Sequence, residues 1–411
     1  MKHNFPQWIC CQLGAREHYA IPRTLHQEGQ LDRLITDAWV LPQSLLNRLP
    51  KPFLSHLRDR YHPDLAEASV QNFTSSLLRF ELDQHLKKKW GWERIIARNE
   101  WFQTQAIWLL ERITPKLNHT PIIFAYSYAA LEIFRYAKNR NWHIILGQID
   151  PGFLHDKIVL DEHSKYPNYQ SNWQAAPSDY WTNWQEECSL ADRIIVNSLW
   201  SSQALQKAGI SASKIALIPL VYTPPETSRD FVRSYPSVFS RERPLRVLFL
   251  GKINLAKGIA ALLDAAKLLY NQPIEFWLVG SQSIPKPQDH QGDNRIHWID
   301  SVPRSATGKY YQEADVFIFP TLSDGFGLTQ LEAQAWKLPI IASRFCGEVV
   351  KDGVNGLILP EVTGFAIALA LEFCLNNPQS LQNFSSATSQ TSQFKLSHLY
   401  HHLQSLSHAL I

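Results

Sequence analysis

The chain has too little cysteine for a disulfide framework. Five cysteines are scattered through 411 residues, only Cys10 and Cys11 are adjacent, and no C-x-x-C occurs. This excludes a stapled secreted scaffold and a cysteine metal site, and it predicts small buried thiols in a reducing compartment. A formal net charge of +3 is too small to argue for a nucleic-acid partner. No apolar run approaches the roughly 20 residues of a membrane span. The first residues lack a signal peptide's apolar core and small-residue cleavage site, so the expected location is the cytoplasm. What is present, 45% hydrophobic and 19% charged residues, describes a globular soluble chain. Its length exceeds one typical core and predicts two domains.

The most informative stretch is 320–343. It follows an apolar run at 316–319 that reads as a buried strand, and Asp324-Gly325-Phe326-Gly327 reads as a loop. Residues 328–336 are helix formers, and Pro339 forbids continuation into the next strand. Two glycines at a helix entrance let a ligand approach the backbone, while the unpaired first-turn amides favour an anion. This is the chemistry of a diphosphate seat. Asp324 and Glu332 bracket it with seven residues between them. Carboxylates beside a diphosphate suit neutral hydroxyls, of a sugar on one side and a ribose on the other. Taken singly, Asp324 reads equally as a turn former or N-cap, and Glu332 as a solvated helix residue.

Asp324 and Glu332, with Gly325-Phe326-Gly327 between them, resemble the E-x7-E motif of retaining glycosyltransferases of the GT-B fold, in the group called family 4. The chain departs from that motif in carrying Asp324 where most members have Glu. The resemblance implies an α/β fold of two Rossmann-like, doubly wound parallel-sheet domains facing a cleft. It also implies transfer of a sugar from a nucleoside diphosphate sugar to a sugar, glycan or lipid-linked acceptor, with retention of configuration.

Site residues follow from the same resemblance. Gly14, after a strand at 7–13, would approach the donor diphosphate from the first domain. Gln148 or Asp150 would contact the donor sugar where relatives carry a histidine. Lys252 and Lys257 would match the basic pair that holds the donor phosphates. Val302 would contact the base, Gly325, Phe326, Gly327 and Leu328 would line the diphosphate, Asp324 would hold the sugar hydroxyls and Glu332 the ribose. No Asp-x-Asp occurs, so the lysines and the helix end are expected to replace the divalent metal of many other glycosyltransferases, with no cofactor required. A GT-B phosphorylase, a nucleotide-sugar epimerase and a catalytically silent sugar-nucleotide-binding protein would use a similar cleft.

The remaining residues divide the chain. Strands are expected at 31–40, 121–127, 142–148, 191–198 and 214–219, with helices at 128–140, 186–194 and up to 208. Residues 42–113 read as a mostly helical insertion suited to acceptor recognition. Within it, Lys87-Lys88-Lys89-Trp90-Gly91-Trp92 reads either as peripheral contact with an anionic membrane surface or as a solvated helix end beside two core indoles. The expected organisation is a first domain at 1–221, a proline-rich linker at 222–244, a second domain at 245–385 and a tail at 386–411 packing back on the first domain. In the second domain, strands are expected at 245–251, 275–280 and 295–299, and helices from 259 and at 365–375.

Overall fold

The computed structural model describes residues 6–44, 57, 60–169, 173–290, 292–388 and 392–410. Apolar runs too short for helices and flanked by turn formers make two sheets. The first holds β1 (Trp8–Gln12), β2 (Leu31–Thr36), β3 (Val70–Asn72), β4 (Ile122–Tyr126), β5 (His143–Gly147), β6 (Arg193–Val196) and β7 (Ile215–Leu217). The second holds β8 (Leu245–Leu250), β9 (Ile274–Val279), β10 (Ile296–Ile299), β11 (Val316–Phe319), β12 (Ile340–Ala342) and β13 (Gly356–Ile358). Every pairing within them is parallel.

Strand order fixes where a ligand can bind. The first sheet runs β3-β2-β1-β4-β5-β6-β7 and the second β10-β9-β8-β11-β12-β13. Direction of winding reverses between β1 and β4, and again between β8 and β11. At such a reversal the loops beyond the carboxyl ends part and leave a crevice. Gly14 lies in the loop after β1, Lys252 and Lys257 in the loop after β8, and Asp324 in the loop after β11.

Both sheets are covered on two faces, as parallel sheets require. Beneath helix Ile259–Leu268, Ile259, Leu262, Leu263 and Ala266 bury one face against Val247, Phe249 and Phe276. In the first half, Trp8, Cys10 and Phe124 meet Ile21 and Leu25 of helix Ala20–Gln27. Leu399, Leu403 and Leu406 of the last helix, Leu396–His408, join that same core, so the C-terminal segment closes over the first half. All five cysteines are free and buried.

Several elements differ from the sequence expectation. The strand expected at 31–40 stops at Thr36, because Asp37 is buried and bonded to Gly14, Arg98 and Arg60. The helix expected at 128–140 starts at Leu131, since Tyr128 takes φ 75°. The helix expected at 186–194 spans Ser178–Leu190. Part of the insertion at 42–113 lies outside the described residues; the remainder forms helices Thr74–Leu86 and Gly91–Ile113 and the short edge strand β3. Within the Lys-Trp segment, Trp92 packs on Tyr180, whereas Trp90 is 64% exposed. Residues 222–244 are pinned to the second half. Arg233 is buried there, donating to the carbonyls of Tyr311, Gln312, Ala314 and Trp336, and Tyr235 donates to Asp315 O at 2.9 Å. No described helix is long and apolar enough to cross a membrane.

Candidate active site

The loop after β8 is shaped by one cap and one glycine. Asn254 Oδ1 accepts the Lys257 amide at 3.0 Å, closing a tight turn over Leu255–Lys257 that swings the Lys257 side chain inward. Gly258 follows at φ 72°, and a Cβ there would fall 1.9 Å from the Pro320 carbonyl oxygen. That missing methyl lets the loop lie directly on the loop after β11. Leu322 N and Thr321 Oγ1 both donate to Ala256 O, at 2.9 and 3.2 Å, and lock the two together.

The loop after β11 presents Asp324. Its Oδ1 accepts the Phe326 amide at 3.1 Å, and its Oδ2 pairs with Lys257 Nζ. Burial alone would push this carboxyl up; the Lys257 ammonium and the amide outweigh burial and hold it below the usual carboxylate range. Gly327 turns the chain at φ 83° against the Phe319 ring, ahead of helix Thr329–Ala335. The amides of Gly327, Leu328 and Thr329 donate to no described residue. These amides and Lys257 form a cationic corner suited to an anion.

Facing this corner is the first half. A cavity of about 320 Å³ is lined by Lys257, Asp324, Phe326, Gly327 and Leu328 on one side and by Arg16, Glu17, Ile149 and Asn197 on the other. Gly325 brings the halves into backbone contact, since a Cβ on it would lie 2.2 Å from Ile149 O. Trp200 Nε1 to Ser323 Oγ at 3.1 Å ties the loop after β11 to the first half, and Leu199 N to Glu348 Oε1 at 3.0 Å ties the loop after β12 to it.

The other residues singled out from sequence sit apart from this corner. Glu332 is behind it, accepting Tyr311 OH at 2.8 Å, with Arg304 Nη2 at 4.0 Å. Burial raises its carboxyl above the usual range, against the pull of Tyr311 and Arg304. Lys252 is exposed and lines a neighbouring cavity, because the turn at Leu255–Lys257 separates the two lysines. Gln148 is 2% exposed and fully engaged: Nε2 donates to Tyr128 OH and to Asp150, and Oε1 accepts Trp184 Nε1 at 2.9 Å. Asp150 Oδ1 accepts Tyr128 OH at 2.5 Å and Gly152 N at 2.8 Å. Val302 packs with the apolar cluster around Trp277 and Tyr310. Gly14, at φ 85°, donates its amide to Asp37 at 3.0 Å, and its bare Cα faces Arg60.

Sequence reasoning missed the group that joins the halves beside Glu332. Glu17, His18 and Tyr19 take φ 51°, 52° and 57°, a left-handed turn unusual for side-chain-bearing residues. It presents His18 Nδ1 to the Arg304 guanidinium, on the opposite half. Burial, then the charges of Arg304, His62 and Arg23, push His18 down to about 3, so it stays neutral and can accept from Arg304. No local signal marks this contact, which joins residues far apart in the chain.

Residues 244–377 match the family model described as Glycosyl transferases group 1. The fold is GT-B. Across 98% of this chain and 100% of the other, it superposes on Anabaena Alr3699/HepE in complex with UDP with a TM-score of 0.60 at 14% identity. The catalytic domain of starch synthase IV from Arabidopsis thaliana, bound to ADP and acarbose, gives 0.65 at 12% identity, with 99% of each chain covered. A D-inositol 3-phosphate glycosyltransferase of Kribbella flavida is 29% identical over 202 residues, 44% of this chain and 48% of that protein. An uncharacterized 41.2 kDa protein in the cps region of Klebsiella pneumoniae is 26% identical over 173 residues, 41% and 48%. The chain thus spans about half the length of these curated relatives.

Proposed function

We propose that the chain is a retaining glycosyltransferase that moves a sugar from a nucleoside diphosphate sugar to an acceptor. The observation that carries this reading is the corner formed by Lys257, Asp324 and the unpartnered amides of Gly327, Leu328 and Thr329, at a topological switch point and facing the other half. Neighbouring structures with UDP, with UDP and glucose, and with UDP-glucose support a nucleotide-sugar ligand and make UDP the first nucleotide to try.

In this reading the bond from the anomeric carbon to the diphosphate breaks, and its electron pair leaves with the diphosphate. Lys257 and the three amides receive the added negative charge, a preorganised electrostatic effect worth several kcal/mol. An acceptor oxygen then bonds the anomeric carbon on the face just vacated, and its proton passes to the departing diphosphate. The ion pair gives this a built-in order. When phosphate arrives, Lys257 turns to it and releases Asp324, which then accepts from the sugar hydroxyls. Glu332, held by Tyr311 and flanked by Arg304, would accept from the ribose hydroxyls.

The test is a hydrolysis screen of the protein against UDP-, GDP- and ADP-sugars without acceptor. One donor should be hydrolysed, and Lys257→Ala should slow it about 100-fold or more. Nucleotide binding with no turnover on any acceptor favours a silent binding protein; turnover that needs inorganic phosphate favours a phosphorylase. Equal rates in wild type and Lys257→Ala sink the assignment.

A further inference from the structure

A second cavity, of about 680 Å³, lies on the far side of the loop 252–257 from the Lys257 corner. Lys257 and Gly251 face the first cavity; Lys252, Asn254 and Ala256 line the second. Its other walls are helix Phe153–Lys165 of the first half and the loop after β9. The two cavities flank the same loop, which puts the second beside the corner that holds Asp324.

Several groups of the lining are not used to hold the donor in the reading above. The rings of His163 and Trp173 are stacked, with centroids 4.7 Å apart and 8° between planes, and both line the cavity. A fixed flat aromatic surface of this kind matches the C–H face of a pyranose ring, which offers apolar area on one side and hydroxyls at its rim. Polar groups surround the platform. Lys252 has no partner among the described residues, and His155 Nδ1 is a buried nitrogen without one. Asn254 and Gln282 bring side-chain amides, and Ser283 a hydroxyl, to the same walls. Lys252 is exposed and keeps its ammonium in water, but the buried His155 nitrogen is left without a partner, as suits a site that expects hydroxyls.

We infer that this cavity is a saccharide seat for the acceptor, with one ring lying on the His163–Trp173 platform and its hydroxyls held by Lys252, Asn254, Gln282 and His155. The inference rests on the donor reading above, since it places the acceptor beside the sugar held at Asp324. It adds the class of acceptor, a glycan, and the surface that selects it.

The experiment separates the two readings. UDP affinity is measured by calorimetry for the wild type, Trp173→Ala, Trp173→Phe and His163→Ala. Maltotriose, cellotriose and chitotriose are then titrated, and each is tested for acceleration of nucleotide release from the donor hydrolysed in the screen. At least one trisaccharide should bind and accelerate release in the wild type. Trp173→Ala should raise its half-saturation about tenfold, Trp173→Phe should hold it within about threefold, and His163→Ala should fall between. UDP affinity and acceptor-free hydrolysis should stay within about twofold in all three variants, which also shows that they fold. If UDP binds but no trisaccharide does, or if half-saturation is the same in Trp173→Ala as in the wild type, the seat is wrong and the donor reading stands. If the wild type fails to bind UDP, the donor reading falls and the seat falls with it.

Discussion

Replacing Lys257 with methionine keeps the aliphatic stem and removes the charge that faces Asp324. The two side chains are 23% and 17% exposed, so water screens the pair only in part. Breaking a fully buried pair costs about 3–5 kcal/mol and an exposed one about 1 or less, which places this loss near 2 kcal/mol. Asp324 keeps one backbone donor, Phe326 N–H. With the ammonium gone, burial becomes the dominant influence and pushes the carboxyl above its ordinary range.

The pH dependence therefore changes sign. In the wild type the folded carboxyl is held low, so its contribution is complete above the unfolded value of about 3.9 and is lost only as pH falls through the depressed value. In Lys257→Met the folded state binds the extra proton, and stability falls as pH rises above about 4. Urea unfolding at pH 4.5 and pH 7 reads this directly: the loss relative to wild type should be larger at pH 7. Adding Asp324→Asn removes the stranded charge, so the double variant should recover at least half of the loss. Equal losses at the two pH values, together with strictly additive single substitutions, would refute the argument.

Three further outcomes follow from the geometry. Gly258→Ala drives a methyl into the Pro320 carbonyl at a left-handed position, so unfolding of the second half should come at least about 2 kcal/mol earlier; an unchanged midpoint would contradict the close approach. Burial raises Glu187 to about 7 although it accepts amides from Tyr128, Ala130 and Leu131; its stabilising contribution is complete below about pH 4.5 and should decline as pH rises to about 7, by about 3 kcal/mol, a slope that Glu187→Gln should flatten. Glu332→Ala should raise the donor KM with a smaller change in kcat, and an unaltered KM would remove Glu332 from the ribose site.

Elements made of uninterrupted apolar runs were readable in advance. Val316–Phe319 and Leu245–Leu250 are buried on both faces, so their sequence carries no alternation and little ambiguity. The strand β3 is three residues at a sheet edge, too short to show a period. The motif resemblance singled out Lys257 and Asp324, which the fold pairs, but not the way a single capped turn would send Lys252 into a different cavity. The polar cluster after β5 read as a sugar contact. The fold fills Gln148's bonding capacity with Trp184 instead, a residue from a later helix that no local pattern could link to it. Likewise, Arg304 and His18 meet only because both sheets bring their carboxyl ends to one cleft.

The contact at Gly325 has a mechanical consequence. Because the chain there lies bare against Ile149 O, the halves meet at this point through peptide groups, with no compressible side chain between them. Any larger residue would act as a shim, pushing the loop that holds Asp324 away from Ile149. Gly325→Val should thus widen the molecule's scattering envelope and part Asp324 from Ile149, while each half keeps its own packing.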